Sequence, residues 1–197
     1  MIRLSCKIPK KVTLACSGGK DSMAALAFLL NGKREVTVAH YNHGTQHGQI
    51  AENFLRQVCT DSGIEFVSER CSSNPPGGES KEAFWREKRY EFFKKLPGPI
   101  ITAHHLDDAV EWWIFSSLRG DPKLIPVKRN NPLVIRPFLT SSKDQLHRQL
   151  GDFLFVEDPT NKDTNFARNY IRHELGPMCL NVNPGLHKTV KKMYMRS

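Results

Sequence analysis

The hexapeptide Ser17-Gly18-Gly19-Lys20-Asp21-Ser22 constrains the fold more than any other part of the chain, because of what stands on either side of it. Residues 12–16 (VTLAC) are short and apolar, which suits a buried strand, whereas 23–30 (MAALAFLL) makes sense only at helical length. A small turn from strand to helix presents backbone N–H groups at the positive end of the helix dipole, an anion site suited to phosphate. Gly18 and Gly19 let the backbone approach a phosphate closely, and Ser17, Lys20 and Ser22 add donors. Asp21 repels phosphate unless a cation bridges them, so it is expected to hold Mg²⁺ or to cap the helix. The string matches neither the G-x-x-x-x-G-K-[ST] phosphate loop nor the dinucleotide G-x-G-x-x-G.

The rest of the chain alternates. Strands are expected over 12–16, 35–40, 64–69, 99–104 and 133–137, and helices over 21–30, 47–62, 80–95 and 107–118. That order predicts an α/β fold: a mainly parallel, five-stranded, Rossmann-like sheet with helices on both faces. From Ser141 onward the pattern is helical with turns, so residues 1–140 are expected to form the α/β domain and 141–197 a helical extension ending in a basic tail. In open parallel sheets ligands bind beyond the carboxyl ends of the strands. Three polar clusters fall there: 17–22, 40–43 and 104–108. Residues 72–78 (SSNPPGG) read as a loop over that site.

Composition narrows the partners. A net charge of +9 over 197 residues suits a polyanion such as nucleic acid, although charge alone divides evenly between that and solubility. The five cysteines include no C-x-x-C pair, which argues against a zinc site or an iron–sulfur cluster and fits a reducing compartment. Apolar runs fall short of a membrane span, and Arg3, Lys7, Lys10 and Lys11 interrupt any leader-like pattern, so a cytoplasmic location is expected.

Three further strings carry chemistry. In Thr102-Ala-His104-His105-Leu-Asp107-Asp108, a strand end runs into a helix whose first turn stabilises carboxylates, with Glu111 one turn beyond Asp107. These acids suit Mg²⁺ coordination and proton transfer, or simply helix capping over a buried His104. Arg86, Arg89 and Tyr90 share one helical face, either gripping phosphate or forming a solvated surface; the face pattern favours the surface. Near the end, Glu157-Asp158-Pro159-Thr160-Asn161 precedes Ala167-Arg168-Asn169-Tyr170-Ile171-Arg172, which would stack Arg168 and Arg172 four residues apart.

The first string resembles the SGGxDS loop of the ATP-pyrophosphatases, whose fold is of the adenine nucleotide α-hydrolase type. Taken together, SGGKDS, HYNHG, REKRY, TAHHLDD with Glu111, LRG (118–120), IRP (135–137), EDPTN and ARNYIR resemble, in order, the catalytic domain of the tRNA(Ile)-lysidine synthetase family. The match runs from about residue 12 to 175, and its last two strings are the most particular to that family.

The resemblance implies a ligase using ATP and Mg²⁺. Cytosine O2 of a CAU-anticodon tRNA(Ile) attacks the α-phosphate, pyrophosphate leaves, and the ε-amine of free L-lysine then displaces AMP. It places Ala15, Ser17, Gly18, Gly19, Lys20, Asp21, Ser22, His40 and His104 around ATP, and Asp21 and Asp108 on the metal. Asp21, Asp107, Asp108, Arg86 and Arg89 carry the chemistry, while Glu111, Arg119, Asn161, Arg168, Asn169 and Arg172 hold the RNA or lysine. A homodimer is compatible with this reading. The chain departs from the family pattern at Gln46, which stands for an arginine, and at Ala109-Val-Glu-Trp112, where a Gln and a Glu-Thr pair are typical. Larger members add C-terminal tRNA-holding domains, so a catalytic core alone is expected. Thiolases on the same scaffold commonly use cysteine pairs, and amidotransferase-linked synthetases often carry a glutaminase domain. A non-catalytic RNA-binding relative is the alternative from another class.

Overall fold

The computed structural model describes residues 1–73, 75, 80–159, 163–164 and 167–196. Strands β1 (Lys11–Ala15), β2 (Glu35–Asn42), β3 (Glu65–Arg70), β4 (Ile100–Ile101), β5 (Lys128–Arg129) and β6 (Val134–Ile135) form one sheet in the order β3-β2-β1-β4-β6-β5. Every pairing is parallel except β5 with β6. Helices α1 (Lys20–Asn31), α2 (Gln46–Asp61), α3 (Lys81–Lys94) and α4 (Leu106–Leu118) connect the strands, and α5 (Lys143–His147) follows the sheet. The chain closes with α6 (Ala167–Tyr170), a π-helical turn over Ile171–Leu175, α7 (Gly176–Val182) and α8 (Leu186–Arg196).

Side-chain alternation decides which helix covers which face. Val12, Leu14, Val38, Ile101 and Ile135 point into one core with Met23, Leu26 and Leu29 of α1, Leu55 of α2 and Leu146 of α5. Their strand neighbours Ala39, Tyr41, Ile100 and Val134 point the other way, against Tyr90, Phe92 and Phe93 of α3. Both faces are therefore apolar, as a covered parallel sheet requires. A third cluster joins α4 to α8 and the π turn through Leu106, Val110, Ile114, Ile171, Leu186 and Val190.

The five expected strands are all present, and a sixth adds to them. Strand β5 consists of two exposed, charged residues, which carry no apolar alternation for a sequence reading to find. The fourth and fifth expected strands shrink to two residues each. Thr102 N still donates to Ile135 O at 3.2 Å, but Pro137 has no N–H to extend the ladder. The C-terminus differs most from expectation. Residues 186–196 form a helix rather than a solvated tail, because Leu186 and Val190 bury one stripe and Tyr194 donates to Ile125 O at 2.9 Å. Among the described residues no helix is long and apolar enough to cross a membrane.

Candidate functional site

The strand order reverses between β1 and β4, which opens a crevice beyond their carboxyl ends. Ser17, Gly18 and Gly19 form one wall of it, between β1 and α1. Ser22 Oγ donates to Gly19 O at 2.8 Å and accepts from Ser17 N at 3.2 Å, so the turn is fixed by its own hydroxyl. With glycine at the N-cap, the first N–H groups of α1 receive no side-chain acceptor and face an incoming anion. Gly18 takes φ +80°, the left-handed region. Gly18→Ala is expected to cost about 1–2 kcal/mol of stability from that strain. A new Cβ would meet Ala51, Phe54 and Leu55 at ordinary contact distance, so an unchanged urea midpoint would mean that the turn relaxes freely.

A strap of irregular chain over 153–158 crosses this loop. Val156 N donates to Gly18 O at 2.9 Å, and Lys20 Nζ lies 5.3 Å from the Phe155 ring centroid. Beyond it, Asp158 Oδ2 comes within 3.7 Å of His47 Nε2 in α2.

The second wall is the segment from β4 into α4, and its centre is His105, which is buried. Its Nε2 lies 3.6 Å from Asp21 Oδ1, and its Nδ1 lies 3.5 Å from oxygens of both Asp107 and Asp108. Burial disfavours the imidazolium, but Asp107, Asp21 and Asp108 outweigh it and raise the ring to about 10. A charged ring cannot accept the Asp108 amide that approaches Nδ1 at 3.4 Å. The cap of α4 then rests on the reverse bond, His105 N donating to Asp108 Oδ2 at 3.0 Å.

Short α5 supplies the outer contacts of these acids. His147 Nε2 lies 2.5 Å from Asp21 Oδ1, and Lys143 N donates to Asp107 Oδ2 at 2.7 Å. From α8, His187 Nε2 reaches Asp107 Oδ1 at 3.4 Å. Burial would raise both carboxyls, yet His105 with His147 holds Asp21, and His105 with His187 and the Lys143 amide holds Asp107, well below the usual carboxylate range.

Asp108 turns to a different set of partners. Its Oδ1 accepts from Arg168 at 2.9 Å and from Arg172 at 3.1 Å. Glu111 takes Arg172 in a fork, at 2.7 and 3.0 Å, with Arg168 Nε at 3.7 Å. Glu111 therefore groups with Asp108, three residues back, and not with Asp107 as its spacing first implied. Arg168 and Arg172 do act as a pair, one from α6 and one from the π turn, while Ile171 between them is buried.

On the far side of β1, His40 Nδ1 lies 2.9 Å from Cys16 O, whereas its buried Nε2 has no hydrogen-bond partner among the described residues. His43 stacks near Trp85 and Tyr41, with ring centroids 5.0 and 5.2 Å away. Burial pushes His43 down to about 4, helped by the charge of Arg89. His104, with Nδ1 2.8 Å from Thr102 Oγ1, is pushed by burial to about 3. An unfolded histidine titrates near 6.5, so His43 contributes stability that is fully present above that pH and is lost as pH falls toward 4. The ring is only partly buried, so about 1 kcal/mol is expected to vanish between pH 7 and pH 5. His43→Phe, which keeps the ring stack, should remove that part of the pH dependence in urea titrations; an unaltered slope would refute it.

Helix α3 brings Arg89 half-buried beside this group, close enough for its charge to act on His43 and His104. Burial and the charges of Arg86, Arg168 and Arg136 all disfavour its cation. Arg86 is exposed, 5.4 Å over the Tyr90 ring, and Arg136 donates to Tyr90 Oη at 3.1 Å. Ala15 lies at the end of β1 against the α3 side.

Not every expected residue converges. Arg119 stands at the far end of α4, roughly 18 Å along the helix from Asp107, with its guanidinium 4.3 Å over Phe115. Asn169 is half-buried, with its amide donating to Asp163 O at 2.9 Å. Asn161 lies outside the described residues, as does most of the loop expected over 72–78. Conversely, His105, His147 and His187 were not singled out as site residues. His105 stands inside the 104–108 string but was given no role of its own; the other two have no local signal, since their partners lie 126 and 80 residues away.

Comparison with known proteins adds three findings. A PP-loop domain model matches residues 4–179. The chain is 34% identical over 199 residues to the tRNA(Ile)-lysidine synthase of Lactiplantibacillus plantarum, covering 91% of this chain and 44% of that protein. It is 32% identical over 194 residues to the Petrotoga mobilis protein of the same name, covering 88% and 61% respectively. The chain thus spans less than two thirds of these relatives' length. Among solved structures, the U34-tRNA thiolase NcsA of Methanococcus maripaludis with its [4Fe-4S] cluster superposes with a TM-score of 0.73 at 17% identity, over 96% of this chain and 73% of that one. At that identity the likeness is one of fold.

Proposed function

This chain belongs to the PP-loop domain family, and on that premise we propose that it is the catalytic domain of an ATP-dependent ligase that joins free lysine to the wobble cytidine of a CAU-anticodon tRNA(Ile). The resemblance of the named relatives supports this substrate choice, and one structural observation carries it. The phosphate-type loop and the Arg168–Arg172 pair are joined by a continuous series of contacts: Asp21 to His105 at 3.6 Å, His105 to Asp108 at 3.5 Å, and Asp108 to Arg168 at 2.9 Å. A nucleotide phosphate and an RNA base can therefore meet in one crevice.

In this reading the N–H groups of the 17–22 turn, with Lys20, Ser17 and Ser22, hold the triphosphate, and the unpartnered His40 Nε2 meets the nucleoside. Asp21 is the carboxylate whose hard oxygen fits Mg²⁺, which would neutralise phosphate charge there when bound. Asp108 is less suited to a metal than its position implied: Oδ2 accepts the His105 amide, Oδ1 accepts both arginines, and those guanidiniums repel a cation. We assign it to holding Arg168 and Arg172 toward the base or the RNA backbone. Arg89, with Arg86, offsets the charge that develops as the adenylate forms. Asp107, ionised at any physiological pH, orients the incoming ammonium. Residues 1–140 would then provide the ATP site, with α5 to α8 completing the crevice. The substrates of this reading, free lysine, tRNA and ATP, would meet in the cytoplasm.

The test is incubation with ATP, Mg²⁺, radiolabelled lysine and unmodified isoleucine tRNA. Label in RNA that requires both ATP and the wobble cytidine is expected. Tight tRNA binding with neither label nor pyrophosphate release would replace the ligase by a binding module.

A further inference from the structure

The exposed face of α4 carries a feature that the site does not use. Trp112 is 41% exposed, and its ring lies 5.6 Å from that of Phe115 at an interplanar angle of 37°. Arg119 continues the row, with its guanidinium 4.3 Å over the Phe115 ring. The spacings of three and four residues set Trp112, Phe115 and Arg119 in line along one face. The row starts beside Glu111, hence one helical turn from Asp108 and the Arg168–Arg172 pair, and runs away from the crevice.

We propose that this row is a stacking platform for unpaired nucleotides flanking the one held in the crevice. Three observations select RNA bases as the occupant. An aromatic ring, a second ring and a guanidinium plane are all flat π surfaces, the platform that unpaired bases use without sequence preference. The row ends in a cation and belongs to a chain of net charge +9, which complements a polyanion. It is also continuous with the crevice, at a length of about 10 Å from Trp112 to Arg119 along the helix, enough for two or three stacked bases. The proposal rests on the RNA-modifying reading above, but the two can fail separately.

The experiment measures fluorescence anisotropy of a labelled RNA stem-loop with a seven-nucleotide CAU-containing loop, and of oligouridine, against the full chain. Trp112→Ala is expected to weaken both RNAs about tenfold, and Trp112→Phe to restore most of the affinity. Stacking is not an ionic contact, so Trp112→Ala should keep the slope of affinity against salt, while Arg119→Gln should reduce it by about one. Unchanged affinity in Trp112→Ala overturns the platform, as does lysine transfer by that variant with an unaltered KM for tRNA. Trp112-dependent binding of oligouridine without any lysine transfer would uphold the platform and sink the ligase reading. If instead wild type sediments as a dimer that Trp112→Ala dissociates, with RNA affinity intact, the face belongs to a second copy and the proposal is wrong.

Discussion

Asp21→Asn is expected to lower ATP-driven modification by about 100-fold or more while leaving RNA affinity within a few-fold of wild type. The carboxylate sits in the first turn of α1, at the mouth of the phosphate-type turn, with imidazoles of His105 and His147 against the same oxygen. Asparagine keeps the shape and a hydrogen bond to His147, but it removes the negative charge. His105 then loses one of the three acids that keep it charged, and a metal loses its hard oxygen. Both losses fall mainly on the nucleotide side: among the described residues Asp21 makes no hydrogen bond or ion pair with Arg168 or Arg172, and its charge reaches Arg172 only after those of Glu111 and Asp108. Pyrophosphate release and anisotropy on the same preparation separate the two sides. Full turnover by the variant would show that the charge at 21 is structural, and equal loss of ATP use and RNA binding would mean that the crevice as a whole has collapsed.

Arg172→Met should produce the largest loss of stability, because it removes the shared partner of two acids that are largely out of water. Arg172 holds both oxygens of Glu111 and one of Asp108, and side-chain exposures of 12% and 9% leave those carboxylates little solvent to fall back on. Breaking such a pair on one side costs about 3 kcal/mol, the penalty of a stranded charge more than the value of the bond. Arg168 remains near both acids but is half-exposed and lies 3.7 Å from Glu111, so it compensates only in part. Adding Glu111→Gln should return some of the lost stability, a coupling that a double-mutant cycle reads directly from urea midpoints. Strictly additive losses would mean that the fork is not an energetic unit. On the functional side, replacing Arg168 and Arg172 together should weaken use of tRNA more than pyrophosphate exchange. Equal loss of both would move these arginines to the ATP side.

The parts of this molecule that were legible in the sequence are those written locally. The strand–turn–helix around 17–22 follows from a change of hydrophobic period across two glycines, and the order of strands and helices follows from the same alternation. The Arg168–Arg172 pair was visible as a helical spacing, although the π turn that holds Arg172 was not. Where pairing rather than pattern decides, the reading stopped short. Strand β5 exists because β6 offers it an edge, and its own residues, Lys128 and Arg129, would suit a loop equally well. The helical C-terminus looked like a basic arm until α4 supplied a partner for its apolar stripe. The acids were found from their type and position, but their division of labour was not, since whether Glu111 serves Asp107 or Asp108 depends on where a helix 60 residues later comes to rest. Arg119 shows the limit of a motif read by residue type: the helix carries it to the far end of α4, about 18 Å from Asp107, so any RNA it holds lies outside the crevice.

The strap over 153–158 gives the two ends of this crevice a common thermodynamic account. Its Val156 amide is bonded to the Gly18 carbonyl, its Phe155 ring lies under Lys20, and its Asp158 reaches His47 of α2. On the proposed reading, a nucleotide that drew Lys20 from the ring onto a phosphate would change the resting place of the strap, in the same crevice that would hold the RNA. Linkage then runs in both directions: whatever factor ATP adds to the affinity for RNA, RNA must add to the affinity for ATP.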